Sequence, residues 1–68
     1  MTYGERLKAL RTAKGLTQQQ LAHALGTTKQ NICFIETGKN MPGTRLLLAL
    51  ADFFEVSLDY MFGREVTR

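Results

Sequence analysis

Thr17-Gln18-Gln19-Gln20-Leu21-Ala22-His23-Ala24-Leu25-Gly26-Thr27-Thr28-Lys29-Gln30-Asn31-Ile32-Cys33-Phe34-Ile35-Glu36-Thr37-Gly38 is the stretch that decides how this chain folds. It reads as two short helices hinged at Gly26. Thr17 through Gln20 has the form of a capping box, in which the threonine hydroxyl and the glutamine side chain each satisfy a free backbone N–H. Leu16 before the cap and Leu21 inside the helix stand at the spacing of a hydrophobic staple around it. Leu21 and Leu25 share an inward face, and Ala22 beside them is small enough to let another helix come close. His23 falls on the outer side and is given no role. Gly26 occupies the left-handed stop position.

Thr28 caps the second of these helices, expected from about Lys29 to Glu36. Ile32 and Ile35 share one face and Glu36 lies at its margin, whereas Gln30, Cys33 and Phe34 lie opposite, with Lys29 at the flank. Two of these choices work against stability. Lys29 puts a cation in the first turn, where the helix dipole disfavours it by about 0.3–1 kcal/mol. Phe34 turns a large apolar ring away from the Ile32/Ile35 face. Local rules broken together on one surface are what a functional surface leads one to expect.

The flanks read as a mounting for this pair. Thr2-Tyr3-Gly4-Glu5 is a second capping box, so a first helix starts at Tyr3 and carries Tyr3, Leu7, Leu10 and Lys14 at helical spacing up to a stop at Gly15. Arg11 lies beside that apolar stripe, and a guanidinium there requires an acidic partner. Past the pair, Gly38-Lys39-Asn40-Met41-Pro42-Gly43 is a loop. A fourth helix follows, with Leu47, Leu50, Ala51 and Phe54 on its core face and Leu46, Ala49 and Phe53 widening it. Ser57 caps a last short helix through Leu58, Met61 and Phe62, which Gly63 stops. The tail 64–68 is expected to fray. Five short helices make an all-α domain spanning 1–68, with its core in about residues 3–63.

With 68 residues the chain has room for one modest core. Its single cysteine, Cys33, excludes an intrachain disulfide, and no Cys/His cluster has zinc spacing. No cofactor or metal is implied. No apolar run reaches the length of a membrane span, and Met1-Thr2-Tyr3-Gly4-Glu5 does not begin a signal peptide, so a cytoplasmic setting is expected. Net charge is +3, unevenly spread: seven bases face two acids up to Leu48, and two bases face four acids from Ala49 onward. A basic front suits a polyanion partner. An enzyme is not expected, because the lone His23 and Cys33 sit on different helices and neither paired carboxylates nor a glycine-rich phosphate loop is present.

The pattern Leu16-Thr17-Gln18, Leu21-Ala22, Leu25-Gly26, Ile32, Ile35-Glu36, Gly38-Lys39, Pro42, Leu47, Ala51, Val56-Ser57-Leu58-Asp59 resembles the Cro/C1-type helix-turn-helix family, the small DNA-binding domains of phage repressors and many bacterial regulators. The resemblance runs from about Glu5 to Gly63. It implies a lambda-repressor-like five-helix fold, bacterial or phage-encoded, whose third helix enters the major groove of double-stranded DNA. It places Lys29, Gln30 and Phe34 at base-reading positions: lysine suits guanine O6/N7, glutamine suits adenine, and Phe34 suits a thymine methyl. Gln18, Thr28, Asn31, Lys39 and Asn40 fall at positions that touch the DNA backbone. Arg11 and Glu36 match the family's pairing of a first-helix arginine with a glutamate ending the recognition helix. Thr27 and Thr44 depart from the pattern, which commonly has aliphatic residues there, and Cys33 is unusual on the groove side.

These implications make the chain a transcriptional regulator, in the first instance a repressor, binding a palindromic operator as a homodimer with half-sites roughly 34 Å apart. The wide apolar face of the fourth helix, with Met41, Leu58 and Tyr60 nearby, suits a dimer and equally suits the chain's own core. The competing reading is an antitoxin-type protein-interaction module that binds DNA secondarily. A salt-dependent interaction with duplex DNA separates the two. No small-molecule ligand is implied.

Overall fold

The computed structural model describes residues 2–63, which form an all-α fold. The helices are α1 (Tyr3–Ala13), α2 (Gln18–Leu25), α3 (Lys29–Thr37), α4 (Thr44–Phe54) and α5 (Leu58–Met61). The expected frayed tail, 64–68, lies outside the described residues.

Both capping boxes are formed. Thr2 Oγ1 accepts from the Glu5 N–H at 3.2 Å while Glu5 Oε1 accepts from the Thr2 N–H at 2.9 Å. Thr17 and Gln20 exchange the same two bonds at 3.0 and 2.9 Å. Thr28 and Ser57 cap α3 and α5 through their hydroxyls. Gly26 and Gly38 close α2 and α3 in the left-handed conformation, with φ of 71° and 87°. α4 ends differently: Glu55 takes the left-handed position with φ 56°, where glycine would be the unstrained choice.

Leu7, Leu21, Ala22, Ile32, Ile35, Leu50, Ala51, Phe54 and Met61 form one buried cluster. α3 packs against both α1 and α2, while α4 packs against α2 and α5. Leu16, before the second cap, packs on this cluster as the staple requires. The core face of α4 is rotated from its expected setting. Leu46 packs against the cluster, whereas Leu47 is half-buried and outside it. The line Leu46–Leu50–Phe54, with Ala51 beside it, carries the contact, so a stripe read through Leu47 was centred one residue too far along.

Cations lie over aromatic rings at the edges of this core. Lys14 ends the α1 stripe with Nζ 5.7 Å from the Phe53 ring centroid, and the Arg6 guanidinium carbon sits 4.6 Å from that of Tyr60. The Tyr3 and Phe62 rings meet tilted at 49°, their centroids 5.2 Å apart. α1 is thereby fastened to α5 as well as to α3.

A glycine makes the α1–α3 contact close. Gly4 is buried, and a Cβ placed on it would lie 2.5 Å from the carbonyl oxygens of both Ile35 and Glu36. No side chain fits there. The first turn of α1 therefore rests directly on the backbone of the last turn of α3.

Candidate nucleic-acid interface

α3 presents two unlike faces. Ile32 and Ile35, at 0% and 1% exposure, key it into the core. Thr28, Lys29 and Gln30 are all exposed at its start. The helix is held so that its N-terminal turn faces solvent while its apolar side cannot rotate away from α1 and α2.

A polar network fixes its far end. Arg11 Nε donates to Glu36 Oε2 at 2.7 Å and Arg11 Nη2 to Glu36 Oε1 at 3.1 Å, a two-pronged pair whose side chains are 10% and 3% exposed. Arg11 Nη1 donates to the Leu16 carbonyl at 2.8 Å. Gln18 Nε2 donates to Glu36 Oε1 at 3.0 Å. The hydrogen bond to Glu36 raises the Arg11 pKa above its ordinary value, so the guanidinium stays charged although buried. One carboxylate thus ties the end of α1, the start of α2 and the end of α3 together.

The residues assigned to the DNA backbone are distributed around this frame. Gln18 is half-buried and engaged with Glu36, yet its amide keeps a second N–H. Thr28 Oγ1 accepts from the Asn31 N–H at 3.1 Å, which leaves its hydroxyl proton free to donate. Asn31 is half-buried and donates from Nδ2 to Thr27 Oγ1 at 3.0 Å. Thr27, the departure from an aliphatic residue, therefore gives that half-buried amide a partner. Lys39 and Asn40 are exposed, and their N–H groups both donate to the Phe34 carbonyl, at 2.8 and 3.2 Å. Phe34 itself is half-buried, with Lys39 Nζ 5.5 Å from its ring centroid. Cys33 is half-buried and free.

Helices of this number, order and capping, with an exposed polar start on the third, are the arrangement of a helix-turn-helix unit. Residues 7–61 match the family model described as helix-turn-helix. The chain belongs to the Cro/C1-type helix-turn-helix family of transcriptional regulators. It is 42% identical over 59 residues to the SPbeta prophage-derived uncharacterized HTH-type transcriptional regulator YonR of Bacillus subtilis, covering 87% of this chain and 55% of that protein. It is 38% identical over 65 residues to the HTH-type transcriptional activator BcrR of Enterococcus faecalis, covering 96% of this chain and 32% of that protein. The chain spans about half or less of these relatives. In structure it is similar to the P22 c2 repressor protein in complex with synthetic operator 9T, with a TM-score of 0.89, 28% identity, and coverage of 96% of this chain and 98% of that one.

Two features near the exposed start of α3 and its frame escaped sequence reasoning. Arg45 is exposed in the first turn of α4, whose N-cap Gly43 supplies no side-chain hydrogen bond. Its signal was present, a base two residues past a Pro-Gly loop, but the apolar run that follows drew the reading to packing. The Gln18–Glu36 bond joins residues eighteen apart on different helices, and nothing in periodicity marks it. Among the described residues no group of His, Cys, Asp or Glu is placed to hold a metal, and no helix is long and apolar enough to cross a membrane.

Proposed function

We propose that this chain binds double-stranded DNA sequence-specifically, with α3 in the major groove, and regulates transcription as a homodimer on a two-fold operator. The observation that carries this reading is the exposure of Lys29 and Gln30 on the first turn of a helix whose opposite face is locked in the core. That turn is the part of a recognition helix that meets base edges. Lys29 donates to guanine O6/N7, and Gln30 makes a paired donor and acceptor contact with adenine. Thr28, Lys39, Asn40 and the free N–H of Gln18 bind phosphates on either side, with Asn31 contributing from the turn. Arg45, exposed in the first turn of α4, extends the phosphate set.

A dimer is supported by large apolar side chains left exposed on and around α4 and α5: Met41 at 61%, Leu48 at 52%, Phe62 at 39% and Leu58 at 37%. Bound at a promoter, the dimer represses by occluding polymerase.

Selection of bound sequences from a random duplex pool tests it. A palindromic consensus is expected. Lys29→Ala relaxes it at one position and Gln30→Ala at its neighbour, each costing about 1–3 kcal/mol on the preferred base. Equal loss on every sequence for both variants shows that these side chains position the protein and do not read. Affinity that does not fall with salt counts against the phosphate contacts altogether.

A further inference from the structure

Phe34 was expected to touch a thymine methyl, yet its surroundings fit a different task. Its ring is half-buried, and the Lys39 ammonium lies 5.5 Å from the ring centroid. The two residues are also joined through the backbone. The Phe34 carbonyl accepts the N–H groups of Lys39 at 2.8 Å and Asn40 at 3.2 Å, across the left-handed Gly38. Both ends of the Lys39 side chain are therefore referred to one residue: its root hangs from the Phe34 carbonyl and its tip rests on the Phe34 ring. Among the described residues no carboxylate pairs with Lys39, and its ammonium has the ring as a partner.

We propose that Phe34 is a positioning residue for Lys39, its ring holding the ammonium at the end of the recognition helix where it meets a DNA phosphate, and that the ring does not read a base. The proposal rests on the DNA-binding reading above. A free lysine loses much rotamer freedom when it is fixed on a phosphate, and a stem already laid along a ring loses less. The ring face attracts the cation while leaving its N–H donors available to an anion. With Lys39 over the ring and its body half-buried, the surface open to a thymine methyl is reduced. Asn40, hung from the same carbonyl, is set in register with it.

The test measures binding of a random-sequence duplex and of the selected operator, as a function of salt, for Phe34→Leu, Phe34→Tyr, Lys39→Ala and the Phe34→Leu/Lys39→Ala double variant. Phe34→Leu is expected to weaken binding about two- to fivefold on both duplexes, the worth of an exposed cation–ring contact. Phe34→Tyr, which keeps the ring face, retains wild-type affinity. Lys39→Ala flattens the logarithmic salt slope by about 0.9, the mark of one lost phosphate contact. In the Lys39→Ala background Phe34→Leu has no further effect. In the free protein, NMR shows an upfield ring-current shift on the ε-methylene protons of Lys39 that Phe34→Leu abolishes.

An undiminished Phe34→Leu effect without Lys39 overturns the proposal. So does a loss that disappears when operator thymines are replaced by deoxyuridine, because the ring then reads the methyl. Absence of the ring-current shift overturns it even if a variant is too unstable for binding assays. A wild-type protein that binds no duplex at low salt overturns the DNA reading itself, a failure distinct from the others.

Discussion

Gly4→Ala tests the contact on which α3 is seated. In an ordinary helix interior the change is stabilising by about 0.8–1 kcal/mol, since alanine is the better helix former. Here the added methyl meets the Ile35 and Glu36 carbonyl oxygens at 2.5 Å and the Glu36 carbonyl carbon at 2.8 Å. All three are backbone atoms, and Ile35 beside them is buried, so no side chain can swing aside. Overpacking costs about 1–3 kcal/mol where the surroundings can adjust, and this site belongs at the upper end. Subtracting the propensity gain leaves a net loss of about 2 kcal/mol, which for a domain this size lowers Tm by about 8–16 °C. Circular dichroism during thermal and urea denaturation reads the effect. α1 must also retreat from α3, which disturbs the neighbouring Arg11–Glu36 pair, so DNA affinity falls on all sequences alike. A Tm equal to or above wild type refutes the reasoning, because propensity would then be acting unopposed.

Three further substitutions probe the frame. Glu36→Ala strands the buried Arg11 guanidinium and removes the Gln18 tie, at an expected cost of about 3–5 kcal/mol; an unchanged melting curve would rule out a structural role for the pair. Tyr3 has a hydroxyl that is buried with no hydrogen-bond partner among the described residues, and burial pushes its pKa up to about 12. Because the folded value is raised, this group's contribution is complete below the unfolded value of about 10 and is lost as pH rises toward 12. Tyr3→Phe should therefore remove that alkaline loss and leave neutral stability unchanged or improved, whereas a variant clearly less stable at pH 7 would show that the hydroxyl has a partner. Glu55→Gly relieves a left-handed residue at the end of α4 and should raise stability by about 0.5–1 kcal/mol once the unfolded chain's extra freedom is counted. A lower Tm would mean that Glu55 makes a contact worth more than its strain.

What the sequence revealed and what it hid follow one physical division. Features set by neighbours three or four residues apart were legible. Thr2/Glu5 and Thr17/Gln20 are reciprocal caps whose partners are fixed by helix geometry alone, and Gly26 and Gly38 mark stops because few other residues take that backbone. Ile32 and Ile35 follow from periodicity. Features set by how helices meet were not, apart from the Arg11–Glu36 pair, which the family resemblance supplied and the structure contains. Gly4 looks like filler inside a capping box, because a glycine at a close approach and one that is merely tolerated have the same local signature. Leu46, Leu47 and Leu48 are chemically equal, so the rotation of α4 is decided by α2 and α5 and not by its own residues. Glu55 gives no sign of its left-handed φ, since the glycine that usually announces it is missing.

The same division separates the two ends of α3. Its exposed start, Thr28-Lys29-Gln30, can be read from the cap and the helical period, because exposure there is what remains once Ile32 and Ile35 are placed. Its far end depends on contacts that cross helices or a turn: Arg11 and Gln18 converging on Glu36, and Lys39 folding back over Phe34 past Gly38. A helical projection puts Phe34 on the face opposite the core and stops there. The left-handed Gly38 reverses the chain and brings Lys39 Nζ to 5.5 Å from the centroid of a half-buried ring, which suits Phe34 to the supporting role proposed above. On the proposed reading, base contacts and the placement of Lys39 belong to opposite ends of one nine-residue helix. Substitutions at the C-terminal end should accordingly lower affinity on all sequences alike, whereas those at Lys29 and Gln30 should lower it on the preferred base and relax the sequence preference there.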